Sequence, residues 1–295
     1  MRVVVFGATG LCGEEIADVF ETRHEVIRFK GHRDGDISNL FEIQKKLEPM
    51  KPDLIINATG YRHPDNCKKN RDIAVRINTL GPKNLALLAE KIGCDFMQVS
   101  SDSVFSGDTK WPYSEFDIPD PNNIYGQTKY LAERAIAAVC KHHYIIRVPM
   151  LFGFKGKPEE NLMFQTWENM KNHVRMDAAT DQICNPTYTK DAAECMMKVA
   201  ESGMYGTYHI SNEGLGSRYD LLCEFARIAG LPHDDILTSN SEVKYDKRST
   251  YTAFNAIAFK GTFGVELEEW HTAIRRMYRD YEEYKKNGHR STVGR

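Results

Sequence analysis

Residues 2–6 of the chain, RVVVF, run straight into Gly7-Ala-Thr-Gly10-Leu-Cys-Gly13, and a helical pattern over 11–22 starts inside that turn. A short apolar strand followed by spaced glycines and a helix is the context in which such a turn has meaning. Gly7 permits the tight turn, Gly10 lets the backbone approach a pyrophosphate, and Gly13 lets the helix pack close to the strand. Thr9, Leu11 and Cys12 occupy the same turn. The helix start then offers unpaired N–H groups and a favourable dipole to phosphate oxygens. The expected ligand is a dinucleotide, held by a G-x-x-G-x-x-G spacing in place of the commoner G-x-G-x-x-G.

The rest of the first half continues the alternation. Strand patterns fall at 25–29, 53–57, 95–100 and 143–148, and helical patterns at 38–47 (with Ser38 as N-cap), 73–92 and 123–141. Short β-rich runs separated by helices imply parallel strands joined by right-handed crossovers. The predicted fold class is α/β, a Rossmann-type doubly wound parallel sheet over 1–150 with a smaller C-terminal α/β substrate lobe over 151–295, the boundary interleaved. In the second part, helices are expected at 189–201 and 217–229 around a short strand at 206–210, with another helix within 265–284. The tail from Lys285 is basic and expected to fray.

Composition removes several alternatives. The 295 residues carry a formal net charge of −2, so there is no electrostatic case for nucleic acid or an anionic membrane surface. Mean hydropathy is −0.50, and no apolar run nears the ~18 residues of a membrane-spanning helix. The N-terminus lacks the pattern of a signal peptide. The seven cysteines are scattered, with no C-x-x-C, which supports neither a disulfide framework nor a metal site. A cytoplasmic protein with reduced cysteines is expected.

The second strand ends at Lys30-Gly-His-Arg33, where an acidic residue would bind a ribose 2′-OH. Lys30 and Arg33 suit a 2′-phosphate, so NADPH is expected and NADH is the alternative; a solvated basic loop is the plainer explanation. Asp36 and Ile37 follow where an adenine would lie. Tyr125 and Lys129 are spaced i, i+4 at the start of a helical pattern and share one face. An ammonium there would lower the tyrosine pKa from about 10 toward neutrality and suit it to protonate a carbonyl oxygen while a hydride arrives at carbon. Ser101 ends the fourth strand at the ligand edge of the sheet, where its hydroxyl would orient the same oxygen. Arg62 follows the third strand, as a substrate-phosphate partner or as an exposed loop charge.

Together these segments resemble an extended short-chain dehydrogenase/reductase of the dTDP-4-dehydrorhamnose reductase family. The resemblance rests on GATGLCG at 7–13, DLIINATG at 53–60, VSSDSVFSG at 99–107, NNIYGQTKYLAE at 122–133, IIRVPMLFG at 145–153 and NPTYTKDAAE at 185–194. It implies Ser101, Tyr125 and Lys129 as a catalytic triad, with Ala58, Thr59 and Gly60 lining the cofactor. It further implies Lys129 on the nicotinamide ribose, and Asn78 and Asp102 organising the site from behind. Ser103 and Met150 stand at substrate-side positions where rhamnose-forming members usually carry Tyr and Trp. The stretch YRHPD at 61–65 is similar to the regulatory beta subunits of methionine adenosyltransferase. The resemblance thus implies reduction of a 4-keto group on a nucleotide-activated 6-deoxy sugar, or of another small ketone, with a possible homodimer as the assembly. The alternatives are a cofactor-binding regulatory protein and a nucleotide-sugar epimerase.

Overall fold

The computed structural model of the chain describes residues 1–240 and 246–286. The tail expected from Lys285 therefore lies outside the described residues beyond Lys286.

The first half builds β1 (Arg2–Phe6), α1 (Leu11–Glu21), β2 (Glu25–Phe29), α2 (Leu40–Leu47), β3 (Leu54–Asn57), α3 (Pro64–Lys69), α4 (Arg71–Val75), α5 (Gly81–Ile92), β4 (Asp95–Ser101), α6 (Ile124–Val139) and β5 (His143–Val148). The second half adds β6 (Leu151–Phe152), α7 (Leu162–Lys171), β7 (Met176–Ala179), β8 (Thr187–Tyr188), α8 (Thr189–Ser202), β9 (Gly206–His209), α9 (Arg218–Ala229), β10 (Ile236–Ser239), α10 (Ile257–Phe263) and α11 (Trp270–Lys286).

Six parallel strands form one sheet in the order β2-β1-β3-β4-β5-β9. This is the doubly wound, Rossmann-like architecture that the alternation predicts. Period-two geometry explains why both faces are apolar. Val3 and Val5 enter one buried cluster with Ile16 and Phe20 of α1 and Met196 and Val199 of α8. Val4 and Phe6 enter the opposite cluster with Ile43, Leu47, Leu85 and Ile136 of α2, α5 and α6. Truncating a fully buried aromatic such as Phe20 would cost about 3–5 kcal/mol. A third cluster, around Phe152, Met170, Phe225, Trp270 and Ile274, lies among the second-half elements.

The chain runs outward from β1 to β2 on one side and from β3 to β9 on the other. The sheet therefore has its switch point between β1 and β3, and ligands bind outside the strand ends there. After residue 150 the chain leaves the sheet and then returns to it. The strand expected at 206–210 is β9, the sixth strand of the main sheet, and α8 covers the same face as α1.

Two expected helices differ in detail. The cap of α2 is Asn39, whose side chain accepts from the Glu42 N–H at 3.2 Å, while Ser38 turns back to donate to Asp36. The single helix expected over 73–92 is broken and begins earlier. α3 and α4 are divided at Asn70, and Arg76–Leu80 forms a π turn before α5. Such turns gather at functional sites, and this one carries Asn78 inward to 1% exposure. Among the described residues no helix is long and apolar enough to cross a membrane.

Candidate active site

The phosphate turn sits at the switch point. Gly7 has φ of +81°, which L side chains rarely adopt, and its Cα faces the Ala58 carbonyl group. A Cβ on Gly13 would collide with the Gly7 carbonyl oxygen, so close helix–strand packing requires glycine there. Gly10 is different. It caps α1 with an ordinary φ of −88°, and an added Cβ would meet only the Gly7 oxygen at 3.5 Å. Nothing in the protein itself demands glycine at 10; the open space above it suits the approach of a pyrophosphate. The turn therefore fits the phosphates of a dinucleotide. Leu11 begins α1, and the half-buried Cys12 thiol is pushed up to about 12, first by loss of solvation, so it stays a neutral packing group.

Around this turn the other expected cofactor residues take their places. Lys30 and Arg33 are exposed just past β2, and Thr9 Oγ1 donates to the Lys30 carbonyl at 3.4 Å. Asp36 accepts from the Ser38 N–H and hydroxyl at 2.9 and 2.8 Å. Burial works to raise its pKa, but these bonds outweigh it and hold the carboxyl below its ordinary range. The Ile37 side chain is 5% exposed, packed in the sheet core against Gly81, which leaves only its backbone to line an adenine site. Ala58, Thr59 and Gly60 follow β3 directly, with Thr59 Oγ1 donating to Asn57 Oδ1 at 2.7 Å. Asn78 clamps this loop to α6. Its Oδ1 accepts from the Tyr61 N–H at 2.7 Å, and its Nδ2 donates to the Tyr61 carbonyl at 3.0 Å and to Thr128 Oγ1 at 3.1 Å.

The catalytic candidates meet beside this loop. Asn123 caps α6 by accepting from the Gly126 N–H at 2.8 Å, which sets Tyr125 and Lys129 on successive turns of one face. Tyr125 is half-buried and lies beside Ser101 at the end of β4. Burial pushes its phenol up to about 12; the Ser101 hydroxyl pulls downward and the nearby Asp102 carboxylate pushes upward. This runs opposite to the expected fall toward neutrality. Burial is the chief cause, and Lys129 does not offset it, because its Nζ donates to the Val99 carbonyl at 2.6 Å. Burial lowers the ammonium itself to about 8.

Asp102 is surrounded by hydroxyls. Ser101 donates to its Oδ1 at 2.9 Å, and Thr252, from the far end of the chain, donates to its Oδ2 at 2.6 Å. Burial nonetheless raises its pKa. Ser103 donates to the same carboxylate at 3.4 Å, and its N–H donates to Ser101 Oγ at 3.2 Å. Met150 is half-buried against the second-half apolar cluster. Arg62 is exposed and donates to Glu160 at 2.7 Å.

Several participants carried no signal in the sequence. Behind the site, Glu133 of α6 takes a bidentate contact from Arg147 of β5 at 2.7 and 3.1 Å and a bond from Ser100 of β4 at 2.5 Å. Arg147 also meets His209 of β9 at 3.3 Å. Four elements are bolted together by buried polar groups that satisfy one another. Thr252 reaches Asp102, and Arg248 reaches Asp65, from segments whose local pattern is unremarkable. Among the described residues no group of three or more His, Cys, Asp or Glu side chains is placed to hold a metal.

Comparison with known proteins agrees with this geometry. The family model described as RmlD substrate binding domain matches residues 1–283. The spore coat polysaccharide biosynthesis protein SpsK of Bacillus subtilis is 30% identical over 277 residues, 93% of this chain and 95% of the relative. Methionine adenosyltransferase 2 subunit beta of Rattus norvegicus is 31% identical over 246 residues, 78% and 73% of the two chains. The crystal structure of dTDP-4-dehydrorhamnose reductase from Bacillus anthracis in complex with NADP superposes with a TM-score of 0.89 at 27% identity, covering 95% of this chain and 99% of that one.

Proposed function

This chain belongs to the RmlD substrate-binding-domain family, and from that premise we propose that it is an NADP(H)-dependent reductase of the short-chain dehydrogenase/reductase type. Its proposed substrate is the 4-keto group of a nucleotide-activated 6-deoxy sugar. The observation that carries the reading is the neighbouring Ser101 and Tyr125 side chains on the ligand edge of the sheet, with Lys129 one helical turn away.

The Gly7–Gly13 turn holds the cofactor phosphates, and Lys30 and Arg33 face a 2′-phosphate. When bound, the nicotinamide supplies the hydride. Ser101 orients the carbonyl oxygen by donating a hydrogen bond to it. Tyr125, protonated at neutral pH because its phenol sits near 12, delivers its proton to that oxygen as negative charge develops. Lys129, held by the Val99 carbonyl in this structure, turns to the tyrosine when the ligands bind and stabilises the phenolate left behind. Asp102 fixes the Ser101 and Ser103 hydroxyls. Ser103 and Met150 face the sugar. The second-half elements close the cleft over the substrate. A cytoplasmic setting suits the seven free thiols.

The test is NADPH oxidation with dTDP- and UDP-4-keto-6-deoxyglucose. Turnover with either supports the reading; no turnover with any ketone of a broad panel contradicts it.

A second reading is favoured by the identity to the methionine adenosyltransferase beta subunit and by the role of the 61–65 segment. There Asp65 binds Arg248 and the Asp246 N–H, both at 3.0 Å, and so ties the segment to the second half. In this reading the chain binds its cofactor and acts through a protein partner. Stable co-purification with a methionine adenosyltransferase, without ketone turnover, would select it.

A further inference from the structure

Two amide side chains stand where the sheet is otherwise apolar. Asn57 closes β3 and Gln98 lies opposite it on β4, and they are buried to 0% and 1% exposure. Their neighbours along the strands are Ile55, Ile56, Met97 and Val99. Burying an amide is costly unless its hydrogen bonds are made. Here they are made in a single chain. The Thr59 N–H and hydroxyl donate to Asn57 Oδ1 at 3.2 and 2.7 Å. Asn57 Nδ2 donates to Gln98 Oε1 at 2.8 Å, and Gln98 Nε2 donates to the Val99 carbonyl at 2.7 Å. The orientation of both amides is forced from the two ends. A backbone N–H only donates, so the Asn57 oxygen faces Thr59 and its NH2 group faces Gln98. A carbonyl only accepts, so the Gln98 NH2 group faces Val99. The chain therefore runs one way, from the 58–60 loop to the carbonyl that holds Lys129.

That carbonyl serves two donors. β3 ends at Asn57, opposite Gln98, so Val99 lies past the β3 register and pairs with Ile146 of β5 on its other side. Its oxygen accepts from Lys129 Nζ at 2.6 Å as well as from Gln98. A carbonyl oxygen has two lone pairs, and one partner spares it the cost of standing unpaired in the interior. Lys129, 4% exposed on a flexible four-carbon stem, can thus turn away while Gln98 keeps the oxygen satisfied. An amide pair that only joined β3 to β4 would have no need to end on the carbonyl that Lys129 uses.

We propose that Gln98 is a positioning residue for Lys129: oriented by Asn57, it takes over the Val99 carbonyl and so frees the ammonium to turn to the bound ligands. The inference deepens the reductase reading and rests on it for the task that Lys129 performs. Gln98 touches neither cofactor nor substrate. It acts by removing the cost of an orphaned carbonyl from the step in which Lys129 leaves. Without the Gln98 donor, Lys129 would be the sole side-chain partner of Val99 among the described residues, and every ligand that draws it away would bind more weakly.

The test is a double-mutant cycle on the full chain, read by titration calorimetry with NADP+. Gln98→Met keeps the side-chain length and removes the donor. It should weaken NADP+ about tenfold in the wild-type background. In the Lys129→Met background, where no ammonium has to leave, the same substitution should change NADP+ affinity less than about twofold. Equal weakening in both backgrounds would mark a general structural effect and overturn the proposal, as would no weakening in either. A second measurement needs no variant: in a crystal structure of the wild-type chain with NADP+, Lys129 Nζ should have left the Val99 oxygen while Gln98 Nε2 stays on it. Lys129 still bonded to Val99 in that complex would also overturn the proposal. Coupling of Gln98 to Lys129 in NADP+ binding, without turnover of any keto sugar, would uphold the positioning role and overturn the reductase assignment. Turnover of a keto sugar with no coupling in the cycle would do the reverse.

Discussion

The hydroxyl of Thr252 donates to Asp102 Oδ2 at 2.6 Å, joining residues 150 positions apart in the chain. Asp102 in turn holds Ser101, the neighbour of Tyr125. A residue of the second half thus steadies the oxygen-orienting hydroxyl without reaching the substrate itself. Thr252→Val removes a hydrogen bond to a buried carboxyl, worth about 1.5–3 kcal/mol. Ketone reduction should slow about tenfold in kcat, with NADP+ affinity unchanged and Thr252→Ser restoring the rate. A kcat within twofold of wild type would show that Asp102 transmits nothing to the site.

Gly10 and Gly13 separate ligand binding from folding. Gly10→Ala adds a methyl group whose only neighbour is the Gly7 oxygen at an ordinary 3.5 Å, so its melting temperature should match wild type while NADP+ affinity falls about tenfold or more. Gly13→Ala forces the helix off the Gly7 carbonyl and should lower the melting temperature. Equal NADP+ affinity in Gly10→Ala and wild type would remove the phosphate role of the turn.

Lys129 and Tyr125 divide the pH profile. Tyr125 keeps its proton up to about 12, whereas Lys129 loses its charge near 8. For ketone reduction, kcat/KM should therefore fall as pH rises through about 8, and Lys129→Arg should move that limb upward. A limb that stays near 8 in Lys129→Arg would assign it to another group.

Glu15, buried on α1 beside Thr189, carries a carboxyl raised to about 7, chiefly by burial. Below the ordinary value of 4.5 both folded and unfolded chains are protonated there. As pH rises from there to about 7 the unfolded chain ionises first, so stability is lost, on the order of 3 kcal/mol by pH 8. Glu15→Gln should raise the urea midpoint at pH 8 and leave it nearly unchanged at pH 4. Equal gains at both pH values would contradict the buried-acid account.

Local pattern exposed the parts of this protein that depend on neighbouring residues. β1, the phosphate turn, α1 and the i, i+4 pairing of Tyr125 with Lys129 are set by spacing along a few residues, and the structure repeats them. The π turn at Arg76–Leu80 left no mark, because the residues there read as continuous helix and only packing against α6 selects the wider turn. Thr252 and Arg248 were invisible for another reason. Their partners, Asp102 and Asp65, lie far away in sequence, and the segments that carry them have no periodicity of their own. The direction of the Tyr125 shift also depends on depth of burial and on the Val99 carbonyl that claims Lys129, neither of which spacing reveals.

The most direct test of the central claim is single-turnover hydride transfer from NADPH to dTDP-4-keto-6-deoxy sugar by Tyr125→Phe against wild type. The account predicts a rate reduced about 10²–10⁴-fold, with NADPH binding unaltered. A Tyr125→Phe enzyme that transfers hydride at the wild-type rate would contradict it.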